Sequence, residues 1–324
     1  MNTRLTIALD AMGGDNAPGQ IVAGGEQAAR ELGVEVVLVG RPEAIGDTEL
    51  EVVAASEVID MADDPARSVR VMKDSSLVRG AELVRDGAAA AFVSAGNTGA
   101  MVAASLLKMG RIKGVARPAV ATAIPVPGST PTVLLDSGAI ADCQAQWLVQ
   151  FAQMGSAFAT RRFGYENPRV GLLSIGEEKS KGNELVKETH GLLAQLDGIN
   201  FIGNVEGRDV MSDIVDVVVT DGFTGNVVLK TLEGGLKSMV SAVFGALTGP
   251  DAGDEAAAAI GLLAPLATEL NPDTYGGAML LGVDGVSIIG HGSSGATAIY
   301  NAIAVARDMA AADLVSAMRA SIGR

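Results

Sequence analysis

The chain has 324 residues, of which 48% are hydrophobic and 3% aromatic, and its formal net charge at pH 7 is −14. This acidity argues against a nucleic-acid partner, which would need a basic face. The single cysteine, Cys143, excludes a disulfide within the chain. Neither Cys143 nor the two histidines, His190 and His291, shows metal-ligand spacing, so no metal site is predicted.

The beginning of the chain predicts a cytoplasmic protein. The residues MNTRLTIALDAMGGD lead directly into a strand, without the long apolar core of a signal peptide. No stretch offers the roughly 20 uninterrupted apolar residues of a membrane-spanning helix. Glycine and alanine are abundant, which suits close packing of helices on a sheet, and we treat residues 1–324 as one α/β domain whose two halves share a cleft.

The first strand, residues 5–10, ends in Asp10 and is followed by the loop AMGGDNAP and a helix over residues 18–32. Asp10 lies at the predicted edge of the sheet, where its carboxylate either caps a neighbouring turn or takes part in a site. Gly13 and Gly14 would let the backbone approach a ligand closely. Further strands are predicted at residues 34–40 and 51–61, and a helix at residues 74–86.

Residues 89–107 have the pattern strand, glycine turn, helix. The apolar run ends at Val93, and helical spacing begins at Asn97 or Thr98. Such a turn leaves the first N–H groups of the helix unpaired, which is a ready site for a phosphate. Gly96 and Gly99 allow close approach, and Asn97 and Thr98 can cap the helix or contact the ligand. Taken alone, this pattern also occurs in many turns that bind nothing.

A basic segment follows this helix. No Asp or Glu occurs between Asp86 and Asp136, and the interval contains the four cations Lys108, Arg111, Lys113 and Arg117. They are either a solvated helix end that suits the helix dipole, or a patch that attracts an acidic macromolecule or an anionic substrate.

The middle of the chain predicts a hairpin and a charged loop. Two strands, residues 119–126 and 132–135, are joined by the turn VPGSTP, and a helix is expected from Asp136 to about Thr160. This prediction places Cys143 inside the helix. After a strand at residues 169–175, the loop GEEKSKGNEL is either a solvated charge run or the source of a mobile cation, Lys181, for a phosphate.

The turn pattern recurs twice more. Residues 217–229, VVVTDGFTGNVVL, place Gly222, Thr224 and Gly225 in the same G-x-T-G arrangement, directly after Asp221. Residues 286–299, VSIIGHGSSGATAI, form another strand, turn and helix, with His291 and Ser293 in the turn. Together with the same pattern at residues 7–17 and 172–185, this makes five small-residue loops. Since loops that leave the carboxyl ends of parallel strands gather at one edge, we expect one anion site there.

A helical hairpin is predicted at about residues 227–270. Apolar residues keep helical spacing over residues 227–247 and again over residues 260–270, with the loop TGPDAGDE between them. The pair is long for a cover on the sheet, so part of its apolar surface is expected to meet a second copy of the chain or, at its tip, a membrane. Residues 276–282, GGAMLLG, are expected to form a turn, and residues 296–311 a closing helix.

Several nucleotide and covalent chemistries are not indicated. There is no G-x-x-x-x-G-K-[ST] loop, no strict G-x-G-x-x-G followed by an acid at the next strand end, and no G-x-S-x-G elbow. What remains is anion binding with scattered polar side chains. Such a site suits a reaction in which phosphate itself is the nucleophile and the protein positions it and stabilises charge.

Eight segments of the sequence resemble the bacterial phosphate acyltransferase family, PlsX, of phospholipid synthesis. The similarity extends from Ile7 to about Ala304. It is carried by IALDAMGGDNAP, KDSSLVRGAELV, FVSAGNTGAMVA, GRIKGVARPA, GLLSIGEEKSKGNEL, NFIGNVEGRD, VVVTDGFTGNVVLKTLEG and GGAMLLGVDGV with the following GHGSS turn.

The resemblance implies an enzyme that converts long-chain acyl-acyl carrier protein and inorganic phosphate into acyl phosphate and free carrier protein. It further implies a Rossmann-like fold, with a mostly parallel sheet flanked by helices, related to phosphotransacetylases and isocitrate dehydrogenases. A homodimer without metal or organic cofactor is implied, as are peripheral membrane contact and delivery of the product to a downstream glycerol-3-phosphate acyltransferase. The acidic carrier protein gives the basic segment a partner.

Roles for individual residues are hypotheses at this point. The two G-x-T-G turns, with Asn226, would cradle phosphate, and Lys181 would neutralise its charge. Asp221 or His291 would manage the proton, while Asn226 or the Gly292–Ser294 turn would stabilise the oxyanion. One alternative is a phosphotransacetylase-like enzyme that uses acyl-coenzyme A. Another is a scaffold for lipid-synthesis enzymes, which would not need polar glycine loops.

Overall fold

A computed structural model describes residues 4–249, 253 and 255–322 of the chain. Its strands form one sheet in the order β3-β2-β1-β4-β11-β10-β5-β6-β9-β7-β8. The strands are β1 Thr6–Asp10, β2 Glu35–Gly40, β3 Glu51–Ala54, β4 Ala91–Ser94, β5 Ala119–Ile124, β6 Thr132–Leu135, β7 Arg169–Leu173, β8 Asn200–Val205, β9 Val217–Val219, β10 Ala278–Leu281 and β11 Val286–Ile289.

Helices cover both faces of this sheet. They are α1 Gly19–Glu31, α2 Pro42–Ile45, α3 Pro65–Val71, α4 Ser76–Arg85, α5 Thr98–Lys108, α6 Ala145–Phe163, α7 Glu184–Leu193, α8 Gly222–Thr248, α9 Ala256–Glu269, α10 Ala296–Ala311 and α11 Leu314–Ser321. Short 3₁₀ turns occur at Gly207–Asp209 and Pro272–Tyr275.

The sheet is mostly parallel but contains two strand groups of opposite direction. The first group, β1 to β4 with β11, is parallel throughout. The second group, β6 to β9, is also parallel throughout. Between them, β10 pairs antiparallel with β11 and with β5, and β5 pairs antiparallel with β6. The second group therefore runs opposite to the first, and its strands end at the opposite edge of the sheet.

This topology overturns the expectation that five loops share one edge. The loops after β1, β4 and β11 leave one edge, whereas the loops after β7 and β9 leave the other. The two antiparallel pairings of β10 and the pairing of β5 with β6 reverse the strand direction within a single sheet. The site must accordingly be located from the cleft that the structure contains, and not from the sheet edge alone.

The core explains why the central strands are continuous apolar runs. Val217, Val218 and Val219 of β9 are all fully buried, because parallel strands of an α/β sheet are covered on both faces. Phe92 of β4 and Phe151 of α6 are the largest fully buried side chains. The predicted strands, except the one at residues 51–61, and the helices α1, α4, α5 and α10 are confirmed within a few residues.

Three predictions of local structure are wrong. The strand expected at residues 51–61 ends at Ala54. Helix α6 begins at Ala145 and not at Asp136, so Cys143 lies in the loop before it. The segment expected to be a turn at residues 276–282 contains the buried strand β10. The short helices α2 and α3 and the final helix α11 were not predicted.

The helical hairpin α8–α9 carries exposed apolar side chains. Met239 and Val243 of α8 are 53% and 40% exposed, and Leu262 of α9 is 82% exposed. Within the described ranges, no helix combines the length and apolarity needed to cross a membrane. Most of the hairpin tip, residues 250–252 and 254, lies outside the described residues.

Candidate active site

A cleft of about 930 Å³ lies across the face of the sheet where the two strand groups meet. Its floor is formed by β5 and β10, with Val120, Thr122 and Ala278. One wall is the face of α8 from Asn226 to Val240, with the end of α9. The other wall consists of residues that follow strands β4 and β11 of the first group, namely Thr98, His291, Ser293, Ser294 and Ala298. The volume lies in the upper part of the range that small-molecule sites occupy.

Two helices begin at this cleft, and a third passes along it. Thr98 is the first residue of α5 and Ala298 lies in the first turn of α10, whereas Asn226 lies in the second turn of α8. The first N–H groups of a helix have no partner within the helix, and the helix dipole places partial positive charge there. The cleft is therefore suited to an anion, although the sheet edge does not gather the turns as expected.

The turn after β11 orients an imidazole in the cleft. Nδ1 of His291 lies 2.7 Å from Oγ of Ser293 and accepts the backbone N–H of Ser293 at 3.3 Å. Because a backbone N–H can only donate, these contacts favour the tautomer of the neutral ring that carries its proton on Nε2. The neutral ring therefore presents an N–H donor from Nε2.

The Asn97 side chain is occupied in holding the loops. Its Oδ1 accepts the N–H of Ala100 and so caps α5. Its Nδ2 donates toward the carbonyls of Asp60, Met61 and Asp63. The predicted contact of this amide with phosphate stays a prediction, and the observed bonds give Asn97 a positioning role. Gly99 lies against Pro65.

Asp10 joins the turn after β1 to the turn after β4. Its buried carboxylate accepts the Oγ–H of Ser94 at 2.6 Å and the N–H of Met12 at 3.0 Å, and Ser94 in turn accepts the N–H of Gly96. Burial raises the pKa of Asp10, and these hydrogen bonds oppose the shift. A Cβ on Gly13 would lie 2.6 Å from the backbone nitrogen of Gly96, so only glycine fits there.

The turn after β1 also contacts the histidine turn. The N–H of Asp15 donates to the carbonyl of Gly292 at 2.7 Å. Nδ2 of Asn16 donates to the carbonyls of Ser293 and Ser294. Gly14 packs beside Gly292 with a φ of +103°, which suits glycine. Asp10, Gly13 and Gly14 thus support the cleft from behind and do not line it.

Asp136, at the end of β6, holds the adjoining loop by hydrogen bonds, as Asp10 does at the end of β1. Its Oδ1 accepts the N–H groups of Val120, Gly138 and Ala139, and its Oδ2 accepts that of Ile140. Burial raises the pKa of this carboxyl, and the four N–H donors counteract the rise. These bonds fix the loop that places Ser137 and Gly138 in the cleft.

The start of α8 packs tightly against this loop. The N–H of Gly222 donates to the carbonyl of Ile140, and a Cβ on Gly225 would overlap the carbonyl oxygen of Asp136. Asp221 caps the helix by accepting the N–H and the Oγ–H of Thr224, each at 2.8 Å. Asp221, Gly222, Thr224 and Gly225 therefore anchor α8, and the residue of this turn that reaches the cleft is Asn226.

The predicted site residues thus divide into two sets. Thr98, Asn226, His291 and Ser293 line the cleft. Lys181 does not line it, because it is exposed in the loop after β7. That loop contacts the edge strand β8 through Asn204, which donates to the carbonyl of Glu178. Strands β6 and β9 separate β7 from the cleft floor.

The basic segment is exposed but does not line the cleft. Lys108 is paired with Glu82 at 2.9 Å, and Arg111 donates to the carbonyl of Ala116. Arg117 also bonds that carbonyl, and its guanidinium lies 4.6 Å from the ring centroid of Trp147. Lys113 is exposed. The segment lies at the end of α5 and the start of β5, away from the Thr98 end of α5.

Sequence reasoning missed the contribution of α8 beyond its first turns. The residues Asn226, Lys230, Glu233, Lys237 and Val240 follow one another at spacings of three or four and all line the cleft. Lys230 is paired with Glu233 at 2.7 Å. The spacing is visible in the sequence, since such residues share one helix face. Tyr275 and Asn271, also in the lining, follow α9 and gave no such signal.

The cysteine and the metal-binding residue types give no sign of further chemistry. The Cys143 thiol lies near the carbonyl of Ile140, and burial raises its pKa to about 12. Among the residues that the structure describes, no group of three or more His, Cys, Asp or Glu side chains is placed to hold a metal ion.

Known proteins similar to this chain carry names from acyl and phosphate chemistry. The family model described as fatty acid synthesis protein matches residues 5–317. A protein of Heliobacterium modesticaldum named phosphate acyltransferase is 48% identical, with 98% of each chain covered. Its counterpart in Elusimicrobium minutum is 47% identical, with 98% of this chain and 96% of the relative covered.

A solved structure shares the fold. The phosphotransacetylase from Streptococcus pyogenes matches with a TM-score of 0.64 at 16% identity, covering 96% of this chain and 95% of that one. The predicted fold class, a mostly parallel α/β sheet flanked by helices, is confirmed.

Proposed function

We infer the substrates of this chain from one premise: the chain belongs to the fatty acid synthesis protein family, and full-length relatives are named phosphate acyltransferase. It is accordingly an acyltransferase that transfers an acyl group to phosphate. We propose that the acyl donor is a long-chain acyl-acyl carrier protein and that the product is acyl phosphate for phospholipid synthesis. The observation that supports this is the cleft in which the first turns of α5 and α10, Asn226 of α8 and His291 line one space.

The proposed reaction needs no external oxidant or reductant. An oxygen of hydrogen phosphate attacks the thioester carbonyl carbon, and the carbonyl oxygen becomes an oxyanion. When this tetrahedral intermediate collapses, the C–S bond breaks and the proton that phosphate carried ends on the thiolate sulfur. Thiolate is a fair leaving group, so the protein mainly has to position the reactants and stabilise the oxyanion.

His291 is proposed as the donor to the oxyanion. Its Nδ1 is occupied by Ser293, so the neutral ring offers the N–H of Nε2 and cannot act as a base through Nδ1. Asn226, from the opposite wall of the cleft, is the second candidate donor. Asp221 is less suited to managing the proton, because both of its oxygens are engaged by Thr224.

Phosphate is proposed to bind between the α5 N-terminus and α8. Thr98 offers a hydroxyl and an N–H in the first turn of α5, and Asn226 faces the same cleft. Lys230, one turn after Asn226 and paired with Glu233, brings a cation to this part of the cleft wall. It takes the role first assigned to Lys181, whose loop lies beyond β6 and β9.

The acidic carrier protein is proposed to dock on Arg111, Lys113 and Arg117. We expect the double substitution Arg111→Glu with Lys113→Glu to raise KM for the acyl-carrier substrate several-fold and to leave KM for phosphate unchanged. The matched control is Lys187→Glu, an exposed cation on α7. The effect should shrink at high salt, because exposed charges are screened. An unchanged KM would refute this docking surface.

A homodimer is proposed to cover the exposed apolar residues of α8 and α9. Sedimentation of the wild type should give the mass of two chains, and Leu262→Asp should shift it toward one. Cytoplasmic location with peripheral membrane contact near the hairpin, and delivery of the product to a glycerol-3-phosphate acyltransferase, remain further proposals. Flotation with liposomes tests the membrane contact, and equal flotation without residues 249–255 would exclude the tip.

The donor is tested by competition. The purified chain is incubated with phosphate, palmitoyl-acyl carrier protein and palmitoyl-coenzyme A, each acyl group carrying a different isotope label, and acyl phosphate is measured by mass spectrometry. We expect the label of the carrier-protein donor to predominate. Predominance of the coenzyme A label would instead indicate the phosphotransacetylase-like alternative, and absence of acyl phosphate from both donors would favour the scaffold.

A further inference from the structure

The cleft is much larger than a phosphate needs, and part of the remaining lining is apolar. Leu229, Leu236 and Val240 of α8 line it together with Ala267 and Leu270 at the end of α9. Leu270 is buried, and the other four are half-buried in the chain as described. Half-buried leucines that face a cavity leave apolar surface for a ligand to cover.

The apolar residues of α8 that line the cleft form one row along the helix. Leu229, Leu236 and Val240 are separated by seven and four residues, so they lie on one face of the helix. At a rise of about 1.5 Å per residue, the eleven-residue interval from Leu229 to Val240 spans roughly 16 Å. An elongated apolar group fits this shape better than a compact one.

The row continues from the polar part of the same cleft. Asn226, one turn before Leu229, lines the cleft with His291 and Thr98, where the reacting carbonyl and phosphate are proposed to lie. A thioester held at that point has its acyl chain attached directly to the carbonyl carbon. On this wall, apolar surface extends along α8 toward Val240.

We propose that the acyl chain of the substrate lies along the α8 face formed by Leu229, Leu236 and Val240, opposite Ala267 and Leu270, and that Val240 limits its length. This inference rests on the proposed function, because it takes an acyl thioester as the ligand. These residues would determine which lengths of acyl chain the protein accepts. Each methylene that the row covers should increase kcat/KM by up to about four-fold.

Other apolar residues of α8 belong to a different surface. Val227 is 51% exposed and does not line the cleft. Met239 and Val243 are also exposed and absent from the lining. A second copy of the chain has that surface available, whereas the row from Leu229 to Val240 faces into the cavity that also holds His291.

The test compares three variants: a larger side chain in the row, a smaller side chain at the same position, and a control outside the cleft. Val240→Trp narrows the row, Val240→Ala opens it, and Val227→Trp adds the same indole outside the cleft. Acyl phosphate formation is measured with acyl-carrier donors of 8 to 18 carbons. We expect Val240→Trp to lower kcat/KM for the 16-carbon donor by roughly sixteen-fold, the value of two buried methylenes, and to leave the 8-carbon donor within about two-fold.

The two remaining variants complete the profile. Val240→Ala should shift the optimum toward longer chains, and Val227→Trp should keep the wild-type profile. An unchanged profile in Val240→Trp, or the same shift in Val227→Trp, would overturn the proposal. A changed sedimentation mass in Val240→Trp with an unchanged profile would also overturn it, because the row would then be an interface between copies.

A binding measurement separates this proposal from the proposed function. Free palmitate and octanoate are titrated calorimetrically into the wild type and the two tryptophan variants without phosphate. We expect Val240→Trp to lose palmitate affinity selectively, whatever the chain does with phosphate. Lack of acyl phosphate from every donor would refute the function alone, whereas equal palmitate affinity in all three proteins would refute the acyl row alone.

Discussion

The hydrogen bond between His291 and Ser293, two residues later, determines which tautomer of the neutral imidazole is favoured. Ser293 donates its backbone N–H to Nδ1, so the favoured tautomer presents the proton of Nε2. The sequence places a histidine in a small-residue turn after a strand, which was enough to select it as a candidate. It could not show the hydrogen bond that distinguishes a proton donor from a base.

Removing this donor should slow the chemical step. We expect His291→Ala to lower kcat by roughly 10² to 10³, the usual cost of one oxyanion donor, with a smaller change in KM. His291→Gln should recover part of the loss, because its amide also donates. The matched control is His190→Gln on α7, whose Nδ1 contacts Asn204 outside the cleft. Equal kcat in His291→Ala and the wild type would refute the role.

The Cys143 thiol should be unreactive at neutral pH. Burial raises its pKa to about 12, so the thiolate that reacts with electrophiles is scarce at pH 7 and increases only as the pH approaches that value. We expect N-ethylmaleimide at pH 7 to leave acyl transfer unchanged, and Cys143→Ser to retain wild-type kcat. Rapid inactivation of the wild type at pH 7, absent in Cys143→Ser, would contradict this.

At the scale of elements, the joint between α8 and the Asp136 loop determines where the cleft wall lies. Gly225 permits contact between the helix and the carbonyl of Asp136, and the four N–H groups on Asp136 fix the loop. From the sequence, D-S-G after a strand indicated a helix start. The carboxylate instead satisfies the N–H groups of a non-helical loop, and the helix begins nine residues later, at Ala145.

The same substitution at two positions of α8 should have opposite effects. Gly225→Ala would force the helix off the Asp136 loop, and we expect it to lower the free energy of unfolding by about 1–3 kcal/mol. Gly235→Ala meets nothing within 4 Å and should raise it by about 0.5–1 kcal/mol, as alanine does in a helix interior. Urea denaturation measures both. Equal effects in the two variants would show that the joint is not tightly packed.

At the scale of the whole molecule, the strands and helices were predictable and the strand directions were not. Apolar runs and helical spacing are local properties, so β1, β4, β9 and α10 could be placed from the sequence. The reversal depends on β10, four residues preceded by two glycines, which has the composition of a turn. Its antiparallel pairing with β11 and β5 is a long-range choice that no local pattern reports.

The types of residue in the candidate site could therefore be predicted from the sequence. Which of those residues come together in the cleft could not. The turns with Thr98 and His291 leave one edge, and Asn226 arrives from the other because α8 passes along the cleft. Lys181 was selected from a loop that belongs to the opposite edge and a distant strand. Lys230 is proposed in its place, and only the course of α8 shows which face of this helix meets the cleft.

One reaction tests the central claim most directly, namely that a phosphate oxygen attacks an acyl thioester in this cleft. The chain is incubated with palmitoyl-acyl carrier protein and phosphate labelled with ¹⁸O at all oxygens, and the products are analysed by mass spectrometry. We expect palmitoyl phosphate that retains every ¹⁸O atom, the bridging one included, together with free carrier thiol. Unlabelled free palmitate as the sole acyl product would contradict it, because water would then be the nucleophile.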